Sequence, residues 1–506
     1  MKKKIAYALL CGCLVFGLTA CGGKEKSENS AEKSAATEVS SQTEKEIAGN
    51  ESENAASEAG GQQETDAAPV SSSTDVSLTK NAEGYYEIGS AEDFVAFARL
   101  INSEIPNVIA QSEHVGSQVS VEEHAILTAD IDLSGAFTGE DAALLPVGGS
   151  YAYTSKVNGN VYDISGSFAG EFDGNGHTIS GIHMDAGTYG MMCVGLFRLG
   201  TPENNDKEVY IHDLTIADSS FSGTNYVGAI AGGLPDRSVI ENCTVAETVT
   251  VEAPVAEWDI SSPVAAGGLA GAVQGMDEVF RGCVSYASVS GTIAGGILGN
   301  CGSTTSVIGC DNYGAVTGIT AGGIVGVHEG SSYYEGLVIG CVNYGTVTAA
   351  EGKHARACGI VGDNCSTIRY CVNAGVVDGK SGDAYAIAKK DGSIGGCGNI
   401  GEIHGERTYP TELAYSWELG NYESRTEEEV NAIRGCTGEI LVGQTEVEIT
   451  PAKVSDAADG TLLKMLQDIG SEHGYGGWKQ GEQFPVWDGE HGLEEYRLPT
   501  PPEETE

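Results

Sequence analysis

Beyond residue 200 the chain repeats around a cysteine. Cys243, Cys283, Cys310, Cys341, Cys371 and Cys397 follow one another at intervals of 40, 27, 31, 30 and 26 residues. An Ile lies two or three places before the later Cys residues, and the run Cys-x-Asn-x-Gly-x-Val or a close variant follows, as in Ile308 to Val316 and Ile339 to Val347. A β-branched residue stands six places after every Cys: Val249, Val289, Val316, Val347, Val377 and Ile403. A second apolar pulse, such as Gly323-Ile324-Val325-Gly326, closes each unit. Each unit therefore reads as two or three very short strands separated by Gly turns, with no room for a helix.

Short strands at a period near 30 are the signature of a parallel solenoid, in which a unit buries its inner face only by stacking on its neighbours. The fold class expected is all-β: a right-handed parallel β-helix with an N-terminal cap helix and a small C-terminal capping module. Alternation along a strand puts each Cys and the residue two later on one face. Asn312, Asn343, Asn373 and Asn399 are then inward amides that can bond to one another as a ladder, beside an inner stack of Cys thiols. The residue three after the Cys points outward, which places Tyr286, Tyr313 and Tyr344 in a row, the speculative ligand-binding residues of this chain; Ala374 and Ile400 continue the row.

The start of the chain is an address. Three Lys precede the apolar stretch Ile5 to Phe16, too short to span about 30 Å of hydrocarbon. Residues 1–20 read as a signal peptide, and Leu18-Thr-Ala-Cys21 resembles a bacterial lipobox, which implies lipidation of Cys21. Residues 21–84 contain no aromatic residue before Tyr85 and read as a disordered acidic stalk. Residues 85–165 are the N-terminal cap and first strands: Ser90-Ala-Glu-Asp93 is a capping box, with Phe94, Phe97, Ala98 and Ile101 on one helical face. Residues 166–410 hold the repeats, interrupted between Glu252 and Ala265. Residues 411–506 form the capping module, with a helix start at Thr426 and Glu429 and with Trp417, Trp478 and Trp487; bulky apolar cover for exposed strand edges is the simplest role for the aromatics.

These residues, with Phe168-Ala-Gly-Glu-Phe-Asp-Gly-Asn-Gly-His-Thr-Ile-Ser-Gly-Ile182 and Val194-Gly-Leu-Phe197, resemble the GLUG-repeat proteins of bacterial surfaces, whose fold is similar to the pectate-lyase-like β-helix. The resemblance covers roughly Tyr85 to Gly405. It implies a lipid-anchored protein on the extracellular face of the cell membrane, in a Gram-positive bacterium.

Composition narrows the function. The formal charge is −45, from 27 basic and 72 acidic side chains, and it argues against a nucleic-acid partner. The partners expected are the membrane, through the lipid, and a glycan or a host or cell-wall surface protein. No C-x2-C pair supports zinc, and the 11 Cys that remain besides Cys21 are an odd number, so buried thiols are expected rather than disulfides. The motifs of polygalacturonase-like enzymes, zinc peptidases and serine hydrolases are absent, including that of the IgA-cleaving metallopeptidases that carry GLUG repeats. No catalytic residue, metal or cofactor is expected. Asp130 and Asp132 share one side of a strand, Asp173-Gly-Asn-Gly176 reads as a turn, and His177, His183 and His212 have no orienting partner visible in the sequence. The function expected is non-enzymatic display for adhesion or binding; the rival is a polysaccharide-degrading β-helix with a site assembled across rungs.

Overall fold

The structure, a computed structural model, describes residues 78–409 apart from short gaps, chiefly 112–117, 139–143, 155–160, 186–192, 200–208, 256–263 and 330–335, and beyond them 439–440, 452–453 and parts of 460–493. Cys21, the signal peptide, most of the stalk, Trp417 and the Thr426–Glu429 box lie outside the described residues.

The body is a right-handed parallel β-helix built of four long sheets. Sheet I has ten strands, from Tyr86–Ile88 through Glu171–Asp173 and Tyr210–His212 to Ser393–Gly395. Sheet II has nine, from Ile131–Asp132 to Gly398–Asn399; sheet III has fourteen; sheet IV has six. One rung runs Val279–Arg281 in sheet I, Val284–Ser285 in sheet II, Ser288–Gly295 in sheet III and Leu298–Cys301 in sheet IV, then returns to sheet I at Ser306–Ile308. A rung thus has four strands, or five where sheet III is broken, rather than two or three. The two-residue strands of sheet II are too short for periodicity to separate them from the turns on either side.

The residue before each ruler Cys turns the chain from sheet I into sheet II in the left-handed conformation: φ is +51° at Asn242, +61° at Gly282, +58° at Gly309, +66° at Gly340, +52° at Tyr370 and +60° at Gly396. Only Gly adopts this without strain, and Asn at modest cost. The turn sends the Cys inward, where its thiol donates to the carbonyl two residues back, 3.3–3.5 Å away in all six rungs. All six thiols are buried and free.

The Gly before each later apolar pulse has its own cause. It faces the inward side chain of sheet II across the core: a Cβ on Gly323 would come within 2.4 Å of Asn343 Cγ and 2.1 Å of the Gly359 carbonyl oxygen, and Gly296 and Gly359 meet Asn312 and Asn373 in the same way. In these three rungs the Asn leaves no room for a side chain at the opposite corner; one rung on, Ala386 takes the place that Gly359 holds.

The N-terminal end is closed by the helix Ala91–Gln111. Ser90 Oγ accepts from the Asp93 amide at 3.2 Å, and Asp93 accepts from the Gly89 amide, so the first turn is capped. Phe94, Phe97, Ala98 and Ile101 are fully buried, and their rings meet Phe168 and Phe172 at 5.8–6.3 Å. No helix among the described residues is long and apolar enough to cross a membrane. In the C-terminal module, the short ribbon of Glu439–Ile440 and Ala452–Lys453 lies against the last strand of sheet II. The hairpin Trp478–Gln480/Pro485–Trp487 instead covers the flank of the body. Trp478 and Phe484 pack with Leu466 on Ile308, Leu337, Ile339, Val342, Tyr370 and Val372, the apolar outer strip of sheets I and II.

Candidate functional sites

The sheet II corner gathers the inward amides and the outward tyrosines. Nδ2 of Asn312 donates to Oδ1 of Asn343 at 2.8 Å, Asn343 to Asn373 at 2.8 Å and Asn373 to Asn399 at 2.7 Å. Each Nδ2 also donates at 3.0 Å to the carbonyl two residues on. All four amides are buried. One rung earlier the same place holds Ser285, whose buried hydroxyl has no partner among the described residues.

The ladder fixes the register of what lies outside it. Tyr286 and Tyr313 stack at 4.7 Å and 15°, and Tyr313 and Tyr344 at 4.4 Å and 6°, spacings set by the strand separation. Tyr286 and Tyr313 are 41% and 42% exposed, so the row is open at this end. Tyr344 is covered by Phe484, 6.1 Å away, and Ala374 and Ile400, which continue the row, pack under the hairpin. Burial, then the charge of Asp311, raises the pKa of Tyr313 and Tyr344.

A second constellation, formed across rungs, lies on the outer face of sheet I. Glu171 and Asp173 share one strand, Tyr210 and His212 the next, and Glu241 the third, in parallel register. His212 Nε2 is 3.1 Å from Glu171, and its Nδ1 is 2.8 Å from Asp213 and 3.7 Å from Asp173. Tyr210 stacks on His212 at 4.2 Å and donates to Glu241 at 2.9 Å. Tyr85 and His124 complete the surround of Glu171. Burial alone would depress the His212 pKa, but its bonds to Glu171 and Asp213 and the charge of Asp173 raise it to about 9. The desolvation of Glu171 is likewise outweighed by His124, His212 and Tyr85, which hold it well below the usual carboxylate range, whereas burial raises Asp173.

His212 is the most fully partnered of the three histidines: Asp213 is its neighbour in the chain, while Asp173 and Glu171, on the preceding rung, lie 39 and 41 residues away, a separation no local pattern reveals. Asp173, His212 and Asp213 each bring a donor atom within 4.8 Å of the others, a donor set suited to a divalent cation. A cation would have to displace the imidazolium proton, which the same carboxylates hold. The remaining positions are turn and surface groups. Asp130 accepts from the Thr178 amide and faces His177, Asp132 accepts from the Ser134 amide, Asp173 caps the Asn175 amide, and His183 bonds Ser220.

A groove of about 410 Å³ on the later rungs is lined by His354, Arg356, Asp383, Lys389 and Arg407. Its cations are matched internally: Arg356 and Lys389 pair with Asp363, and Arg407 pairs with Asp383 through two bonds of 2.7 and 2.9 Å.

No protein-family model matches the chain, and no curated protein matches it. Among solved structures, the chain is similar to a crystal structure described as that of a "putative immunoglobulin A1 protease" from Bacteroides ovatus. The identity is 16% over 81% of this chain and 94% of that one, with a TM-score of 0.38.

Proposed function

We propose that this chain is a surface lipoprotein of the GLUG-repeat kind, tethered through Cys21, whose β-helix displays a binding surface for a glycan or a surface protein and carries out no chemistry. The observation that carries the reading is the exposed, parallel stack of Tyr286 and Tyr313. Two large rings held rigidly in water by the register beneath them present apolar area at little further entropic cost, the property that favours Tyr in interfaces. A triple variant with Tyr286, Tyr313 and Tyr344 replaced by Ala, folded by circular dichroism, is compared with wild type on a glycan array and on host mucin. Loss of the wild-type signal supports the reading, and undiminished binding ends it. For the tether, Cys21→Ser is expected to move the protein out of the detergent phase on fractionation.

The acid–imidazole group on sheet I favours a second reading, a polysaccharide-degrading enzyme. Carboxylates of opposite pKa shift beside an imidazolium are the components of general acid–base work. Release of reducing ends or unsaturated products from pectins, host glycans or cell-wall polymers, lost in His212→Gln, would establish it.

A further inference from the structure

Sheet II carries an outward column one place after the ruler Cys: Val284, Asp311, Val342 and Val372, in register on successive strands. Val342 and Val372 are buried beneath the hairpin, so Asp311 is a half-buried carboxylate in an apolar strip. Burial pushes its pKa up to about 7. Four other part-buried acids of the body have cationic partners: Glu123 has Lys80, Glu241 has Arg281, Asp363 has Arg356 and Lys389, and Asp383 has Arg407. No cationic side chain among the described residues pairs with Asp311. A desolvated charge with no counter-ion is costly, and a ligand that supplies the counter-ion recovers that cost on binding.

The aromatic stack beside it has one open face. Tyr313 is enclosed by Tyr286 and Tyr344, and Tyr344 lies between Tyr313 and Phe484. The outer face of Tyr286 looks over the preceding rung, where pairing of Val245 with Ser285 brings Ala246 to its position. An Ala covers little of a ring, and the ring face carries the negative lobe of its quadrupole. Glu482, on the hairpin, adds a second negative field at Tyr313 and Tyr344. An aromatic face, an unmatched carboxylate and a body of net charge −45 all select for positive charge.

We propose that the tyrosine ledge takes an extended basic segment of a polypeptide partner, one of whose Arg or Lys side chains lies on Tyr286 while another pairs with Asp311. The stack is about 9 Å long, roughly the reach of three residues of extended chain, so side chains at alternate positions can serve Asp311 and Glu482 together. This rests on the ledge being a binding surface and adds the chemistry of the partner.

The test uses the full chain and a labelled ten-residue peptide of alternating Arg and Thr, with its citrulline counterpart as the neutral control, in fluorescence anisotropy at about 150 mM salt. Binding of the Arg peptide and not of the citrulline peptide is expected, weakened tenfold or more by Asp311→Asn and by Tyr286→Ala. General attraction to a polyanion cannot mimic this, because Asp311→Asn removes one negative charge from so large an excess. Glu482→Gln on the exposed hairpin serves as a second variant if Asp311→Asn disturbs the fold. Absence of Arg-peptide binding, or equal binding by wild type and all variants, overturns the proposal. If a neutral glycan binds and depends on the tyrosines while the Arg peptide does not bind, this inference falls and the ledge remains a binding surface.

Discussion

At the scale of single residues the amide ladder is the most exacting feature. Asn343→Leu removes the acceptor of Asn312 and the donor to Asn373 inside a dry core. A cost of about 1–3 kcal/mol for each group left unpaired is expected, measured by chemical denaturation. An unchanged midpoint would mean that water reaches these amides. The turn position before the ruler Cys allows a cleaner measurement. A Cβ on Gly309 meets nothing within 4 Å, yet φ is +58°, so Gly309→Ala isolates backbone strain and is expected to cost about 1–2 kcal/mol. Tyr370 bears the same strain with a bulky side chain, φ +52°, and offsets it by packing edge-on against Trp478 at 5.6 Å. The inward amides and outward rings could be read from the sequence, because their spacing from the Cys is constant. The left-handed position is marked by Gly in four rungs and hidden in the other two, where Asn242 and Tyr370 give no sign of it.

At the scale of elements, the hairpin Trp478–Trp487 and the strands beneath it depend on each other. A Cβ on Gly340 would come within 2.3 Å of the Trp487 ring, whereas the equivalent Gly309 is open. Gly340→Ala is therefore expected to pay the same backbone strain as Gly309→Ala and also to lift the hairpin. Trp fluorescence should shift to the red in the first variant and stay unchanged in the second; identical spectra would place the hairpin elsewhere. The sequence could not locate this element, since its apolar residues match an outer strip whose members lie about 30 residues apart in the chain. A still longer separation, 39 and 41 residues, hid Asp173 and Glu171 from His212. The Glu252–Ala265 interruption shows how little one element constrains the next. Thr250–Glu252 and Ala265–Gly267 pair with two ends of the continuous strand Ser288–Gly295, so the interruption leaves the register of the following rung intact.

For the whole molecule, buried titratable groups set the pH of greatest stability. Glu278 is fully buried, and burial raises its pKa to about 8; His212 is raised to about 9. Between pH 6.5 and 8 the folded protein holds two protons that the unfolded chain has released, so stability falls as pH rises, by roughly 1–3 kcal/mol per pH unit. His328, also fully buried, is depressed to about 4 and acts in the opposite sense between pH 4 and 6.5, where it offsets one of the two protons held by Glu278 and Asp311, so stability still declines gently as pH rises there. Below that window the depressed Glu171 loses its contribution as it protonates. Thermal unfolding should give its highest midpoint near about pH 4.5, with a gentle decline to 6.5 and a steeper one above, and Glu278→Gln should flatten the descent above 6.5. A midpoint rising from pH 6.5 to 8 would refute the assignment.

The six ruler thiols give the molecule a built-in set of gauges. Each is sealed in its own rung, so none should react with a water-soluble maleimide while its rung is closed; burial also pushes Cys283, Cys310, Cys341 and Cys397 far above the usual thiol pKa. The time course of labelling, read cysteine by cysteine by mass spectrometry, then becomes a map of opening frequency along the axis. If the protein unzips from an end, the terminal gauges respond first and the middle ones last. If it opens as one body, all six respond at a single rate.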